Sequence, residues 1–227
     1  MAHISRPSVP DYTSERVSFG RFKTHELLTP KATVRYLTHR IPMENFPIMV
    51  LETSAEIYFH GHPTAVGLAR FRLYREKGRY SYISSECFVE ACDTHTQGMY
   101  DFAYEMASSF NGDIGEVFTE GPIIEFERLH VPKHLDGQRL WLEPVTALLQ
   151  ILIQTYNPIL LALKPYPLEY EGVGRRHPVN RIKALATLYR RTLGVRYLGK
   201  SEYMGKGLGP KVVSPIRKWF LCWGENP

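Results

Sequence analysis

Apolar positions recur at two periods along this chain, and the switches between those periods set the predicted order of its elements. Thr33 to Arg40 (with Val34, Tyr36 and Leu37), Ile48 to Tyr58 and Val66 to Tyr74 are rich in β-branched and aromatic residues and predict three strands. The third alternates through Val66, Leu68, Phe71 and Leu73 before a turn at Lys77-Gly78-Arg79. Tyr80 to Glu90, carrying Tyr82, Ile83, Cys87, Phe88 and Val89, predicts a fourth. Consecutive strands with short connections are expected to form an antiparallel meander. The period then becomes helical. Met99, Phe102, Ala103, Met106 and Phe110 predict a helix from Thr96 to Phe110, with Asp93 and Thr94 as capping residues before it.

The next stretch reads as strand, loop, helix, strand. In Ile123 to Val131 the apolar residues Ile124, Phe126, Leu129 and Val131 are interrupted by Glu125, Glu127, Arg128 and His130, and this broken alternation predicts a bulge. A loop from Lys133 to Arg139 leads to Val145, Leu148, Leu149, Leu152, Ile153 and Tyr156, three and four apart as the buried stripe of a helix requires, with Pro144 in its first turn. Pro158 to Leu163 is apolar without alternation, which suits a strand covered on both faces. A strand, a crossover helix and a second strand place the two strands parallel in one sheet. A last helix, Val179 to Leu193, stops at Gly194, and Val195 to Met204 predicts a closing strand. The expected organisation is an arm over residues 1–30, a domain over 31–205, and an aromatic and basic tail over 206–227 that packs on the domain or on a partner, a second copy included.

Composition narrows this picture a little. The 227 residues are 44% hydrophobic, and no apolar run reaches the roughly 18 residues of a membrane span. The N-terminus lacks a signal peptide's apolar core, so a cytoplasmic location is expected. The three cysteines, Cys87, Cys92 and Cys222, lack the paired spacing of a zinc site and read as free thiols, and His60-Gly61-His62 has no nearby Cys or carboxylate, so no metal is expected. The net charge of +5 gathers its basic residues toward the C-terminus, including Arg175-Arg176, Arg190-Arg191 and Arg217-Lys218. Such a cluster frames a phosphate or nucleic-acid surface, or simply a solvated helix face.

This order of elements, a meander, a helix, a long strand, a loop, a helix, a buried strand and a terminal helix and strand, resembles the GNAT family of acyl-coenzyme A dependent N-acetyltransferases over about residues 33 to 205. The resemblance implies an α/β fold with a mixed sheet, acetyl-coenzyme A as acetyl donor and an amine as acceptor. In the family a glycine-rich loop opens the helix after the long strand, and its amides hold the cofactor pyrophosphate. Here that loop falls on Asp136-Gly137-Gln138-Arg139-Leu140-Trp141, with Arg139 and Trp141 where small residues are usual, so side-chain grip by Arg139 or Lys133 is an alternative to backbone binding. The implied cofactor contacts are Leu129, Val131, Lys133, Gly137, Gln138, Arg139, Leu140 and Trp141.

Leu188-Tyr189-Arg190-Arg191-Thr192-Leu193-Gly194 is similar to the family's Tyr-x-x-Leu-Gly-Phe, with one extra residue, and makes Tyr189 the implied proton donor to the leaving thiolate, or else a half-buried core tyrosine. Glu127 and His130 are the candidate bases for the amine, with Glu125 in reserve, and salt bridging of Glu127 or Arg128 is the structural alternative. Glu90 to Gln97 is similar to a stretch that some relatives carry before an inserted helix, which brings Asp93 and His95 toward the acceptor. Two functions follow: an N-acetyltransferase, or a protein of the same shape without cofactor chemistry that binds a protein or nucleic acid through its basic half.

Overall fold

The computed structural model describes residues 24–62, 64–78, 82–110, 114–131, 140–166 and 179–208. Eight strands form one mixed sheet: β1 (His25–Leu28), β2 (Ala32–Ile41), β3 (Ile48–Phe59), β4 (Gly67–Glu76), β5 (Ile123–His130), β6 (Leu160–Leu163), β7 (Arg196–Tyr197) and β8 (Met204–Gly207), in the order β1-β2-β3-β4-β5-β6-β8-β7. Each neighbouring pair is antiparallel except β5 and β6, which are parallel as the crossover between them requires. The described helices are α1 (Ser85–Asp93), α2 (Gln97–Ser109), α3 (Ile114–Glu120), α4 (Leu142–Tyr156) and α5 (Val179–Leu193). None is long and apolar enough to cross a membrane.

The period-two pattern of each strand sends its apolar residues to both faces, and each face gets its own helical layer. On one face Val34, Ile57, Phe71, Ile124, Phe126, Leu161 and Leu163 pack against Val145, Leu148 and Leu152 of α4 and Ala186, Tyr189 and Leu193 of α5. On the other, Val50, Tyr74, Ile123, Leu160 and Ala162 meet Phe88 of α1, Met99, Phe102 and Met106 of α2, and Val117 and Phe118 of α3. Pro144 does sit in the first turn of α4, and Asn157 ends that helix in the left-handed region at φ 48°. Gly194 ends α5 at φ +72°, and Lys206 Nζ reaches across from β8 to donate to the Leu193 carbonyl at 3.3 Å, a cation at the negative end of the helix dipole.

Three expectations need correction. Where it is described, from Tyr82 on, the stretch expected as a strand over Tyr80 to Glu90 is not one. Ser84 accepts a hydrogen bond from the Cys87 amide and starts α1, and Phe88, Ala91 and Cys92 are buried at helical spacing. Replacing Ser84 with alanine should cost about 1 kcal/mol in chemical denaturation, and an unchanged midpoint would show that α1 holds without its cap. Asp93 and Thr94 do not start the second helix: they end α1, where the Thr94 hydroxyl donates to the Ala91 carbonyl, and Thr96 caps α2 instead. Within the expected arm, His25–Leu28 pairs with β2 as an edge strand. The single closing strand is two short ones, because the chain turns between them, with Gly199 at φ +58° and the Leu198 amide bonded to the Tyr203 carbonyl. Helix α3 was not expected at all.

The bulge in the long strand is present. Arg70 faces Arg128 and the next residue, Phe71, faces Phe126, so Glu127 is the extra residue on β5.

Candidate functional site

The bulge determines which side chains share the face covered by α1, α2 and α3. Residues directly opposite each other on neighbouring strands share a face, and the registers Glu52↔Arg72 and Arg72↔Glu125 put a carboxylate, a guanidinium and a carboxylate side by side. Simple alternation adds Glu127 to the same face and would turn Arg128 away. The extra residue restores Arg128 to a position opposite Arg70. Six charged side chains thereby meet across β3, β4 and β5.

Arg72 is the centre of this group. Its side chain is 5% exposed, and its Nε donates to Glu52 Oε2 at 3.0 Å while Nη1 and Nη2 stand 3.6 Å from Glu125 and Glu127. Burial opposes its charge, but the attraction of Glu125, Tyr74, Glu127 and Glu52 outweighs that and raises its pKa further. Glu125 is buried behind it and accepts a 2.7 Å hydrogen bond from the Tyr74 hydroxyl. Tyr74 is held in place by stacking on Phe102 at 4.9 Å and by an edge contact with Phe88 at 5.6 Å, so the aromatic packing of α1 and α2 aims the hydroxyl. Burial pushes the Glu125 carboxyl up to about 7, against the pull of Arg72. Burial raises Cys92, Tyr74 and Tyr203 as well, which leaves the Cys92 thiol protonated and a poor nucleophile.

Glu127 lies at the outer edge of the group. Its Oε1 is 3.4 Å from Arg128 Nε and its Oε2 is 3.8 Å from Arg70 Nε, while Arg70 also stands 3.7 Å from Glu52. Oε2 is buried and accepts no hydrogen bond among the described residues. Side-chain exposure rises from 5% at Arg72 to 29% at Arg128 and 35% at Arg70, although Arg128 Nε itself is buried.

A second feature falls at the same place. The pairing of β5 with β6 runs from Ile123↔Leu160 to Phe126↔Leu163, and β5 continues to His130 past that last pair. Glu127 is thus both the bulge and the first residue beyond the parallel pairing. Leu129 and Val131 are half-buried and pack toward α4 and α5, and half-buried His130 faces Leu68 across β4. Tyr189 approaches β5 from the α5 side, its ring 6.1 Å from Phe126 at 71°. Glu127 and Tyr189 therefore flank the strand from opposite faces of the sheet.

The remaining sequence candidates lie elsewhere. Leu140 is half-buried, and Trp141, 4% exposed, belongs to the core under α4 and heads that helix without a side-chain cap. Lys133, Gly137, Gln138 and Arg139 lie outside the described residues, as does the tail after Leu208. Asp93 is exposed at the end of α1, and the groups meeting Glu127 are Arg70, Arg72 and Arg128. A hollow of about 500 Å³ lies beside the head of α4, lined in part by Lys31, Glu143, Gln150 and Thr192. Among the described residues no group of three or more His, Cys, Asp or Glu is placed to hold a metal ion.

Sequence reasoning missed Arg70, Arg72, Glu52 and Tyr74. The signal was there: two arginines two apart inside an apolar strand mark a second face that must find anions.

The fold and site define an α/β protein with a mixed, mostly antiparallel sheet and a buried charge network at the end of its one described parallel pair. No family model matches the chain, and neither a curated protein nor a solved structure matches it.

Proposed function

We propose that the chain is an N-acetyltransferase that moves acetyl from acetyl-coenzyme A to an amine, as its resemblance to the GNAT family implies. The observation that carries this reading is the coincidence at Glu127: among the described residues the parallel pairing of the strand ends at Phe126, and the next residue carries a buried carboxylate oxygen that accepts no hydrogen bond. Beyond Phe126 no strand among the described residues pairs with β5 on that side, which leaves backbone groups suited to an extended, amide-bearing arm, and Leu129 and Val131 supply its apolar wall. These residues fit the donor, and Lys133, Gly137, Gln138 and Arg139 are the groups left to hold its phosphates.

Acetyl-coenzyme A supplies a thioester whose carbonyl an amine attacks. The chain's part is proton handling. Glu127 Oε2 takes the proton that the acceptor ammonium must lose before its nitrogen bonds to the carbonyl carbon, and the Tyr189 hydroxyl gives a proton to the sulfur as the carbon–sulfur bond breaks. Glu125 sits too deep for the first role and is held by Tyr74, so it lies behind Glu127 as a reserve. His130, two residues further out than Arg128, is the other candidate base.

Calorimetric titration with acetyl-coenzyme A should show micromolar binding, about −8 kcal/mol, and thiol release across a panel of amines should then reveal turnover. In Glu127→Gln, turnover should fall by roughly a hundredfold or more with donor affinity unchanged. A wild-type protein that gives no heat with the donor fails this reading. Absence of binding would favour the second function, a binding module, to which the buried Trp141 at the head of α4 already lends some support.

A further inference from the structure

The two ion pairs of Arg70 are long. Its Nε stands 3.7 Å from Glu52 and 3.8 Å from Glu127, beyond hydrogen-bonding distance, whereas Arg72 beside it donates to Glu52 at 3.0 Å. Arg70 is also the most exposed member of the network, and it lies directly across the sheet from Arg128, a like charge at a position where like charges repel. Glu127, placed between them, is the carboxylate that both share. The outer end of the network is therefore a long ion pair between a partly exposed guanidinium and a buried carboxylate oxygen, next to a second cation.

Consider what can enter it. A simple ammonium that displaces Arg70 from Glu127 gains one carboxylate but leaves the guanidinium only its long pair with Glu52, beside a new positive charge. A carboxylate alone gains Arg70 and leaves Glu127 Oε2 as it was, without a donor. A zwitterion does both: its ammonium donates to Oε2 while its carboxylate takes the guanidinium in the forked geometry that suits it, and the net charge of the site does not change.

From this geometry we infer that the acceptor is an amino carboxylate of the free amino-acid kind, its ammonium on Glu127 and its carboxylate on Arg70, inserted between the two as they part. This deepens the acetyltransferase reading and rests on it for the identity of the amine's partner, but the binding claim is separable. It selects against peptide N-termini, which carry no carboxylate one carbon from the amine. Arg128, half-exposed on the other side of Glu127, sets the far wall of the site.

The test is binding of the standard L-amino acids and their carboxamides to the full chain, followed by ligand-observed NMR, alongside thiol release from acetyl-coenzyme A with the same compounds. The best amino acid should bind at least about tenfold more tightly than its own carboxamide. That ratio should collapse toward one in Arg70→Gln and partly return in Arg70→Lys, which keeps the charge without the fork. Equal binding of acid and carboxamide by the wild-type protein, or no binding of any amino acid, overturns the inference without recourse to a variant. Discrimination in binding with no thiol release would uphold the site and sink the acetyltransferase reading instead.

Discussion

Replacing Arg72 with methionine should destabilise the protein by about 3 to 5 kcal/mol, more than any other single substitution in the charge network. The side chain is 5% exposed and faces three carboxylates, those of Glu52, Glu125 and Glu127. Methionine fills most of the volume, so the loss is electrostatic: buried anions remain with their compensating charge removed. For a chain of this length the melting temperature should fall by on the order of 10 °C near neutral pH. The loss should shrink as pH falls, because protonated carboxyls need no cation. Adding Glu125→Gln to the variant should return part of the stability, since the two residues share one network and their effects are not additive. Arg72→Lys should fall between, because a single ammonium cannot address three carboxylates at once. A methionine variant as stable as the wild type at pH 7 would show that the network is neutral toward folding, and the cluster would then owe its presence to binding alone.

Much of this was legible in the chain, for identifiable reasons. Strands β2, β3 and β4 and helices α2, α4 and α5 carry long, regular patterns, and those patterns survive packing because each element has one face to bury. The bulge could be read from Glu127-Arg128, two polar residues in succession within a strand. The miss at α1 has a local cause. Ile83, Cys87, Phe88 and Val89 look like strand residues when read for composition, yet Ser84 sits where a cap belongs, and burial falls on Phe88, Ala91 and Cys92 at helical spacing. Asp93 and Thr94 were assigned to the wrong helix because a short polar link between two helices offers caps to either end.

The site was only half legible because the sequence shows which residues are charged and not which of them meet. Glu127 could be proposed from its strand, but Arg70 and Arg72, which meet it from β4, lie 57 and 55 positions earlier in the chain, and register brings them together. Arg70 and Arg72 look like solvent-face residues until the helices between β4 and β5 cover that face and force the charges inward. Tyr74 could not be foreseen as a donor to Glu125 because its orientation depends on the rings of Phe88 and Phe102.

Glu125→Gln should change how stability depends on pH more than it changes stability at any one pH. The Glu125 carboxyl has its folded-state pKa raised from 4.5 to about 7, chiefly by burial. A group raised on folding contributes stability that is fully present below its unfolded pKa and is lost as pH rises through the folded one. In the wild type this contribution is therefore intact below about pH 4.5 and disappears by pH 7 to 8, a loss on the order of 3 kcal/mol. Glutamine cannot ionise, and its amide oxygen still accepts from the Tyr74 hydroxyl. Relative to the wild type, the variant should thus gain stability by roughly that amount between pH 4.5 and pH 7.5, whatever its starting offset. Denaturant titrations of both proteins across that range measure the difference directly. If the two curves run parallel, Glu125 does not titrate there, and the carboxylate is held ionised by Arg72 or protonated throughout.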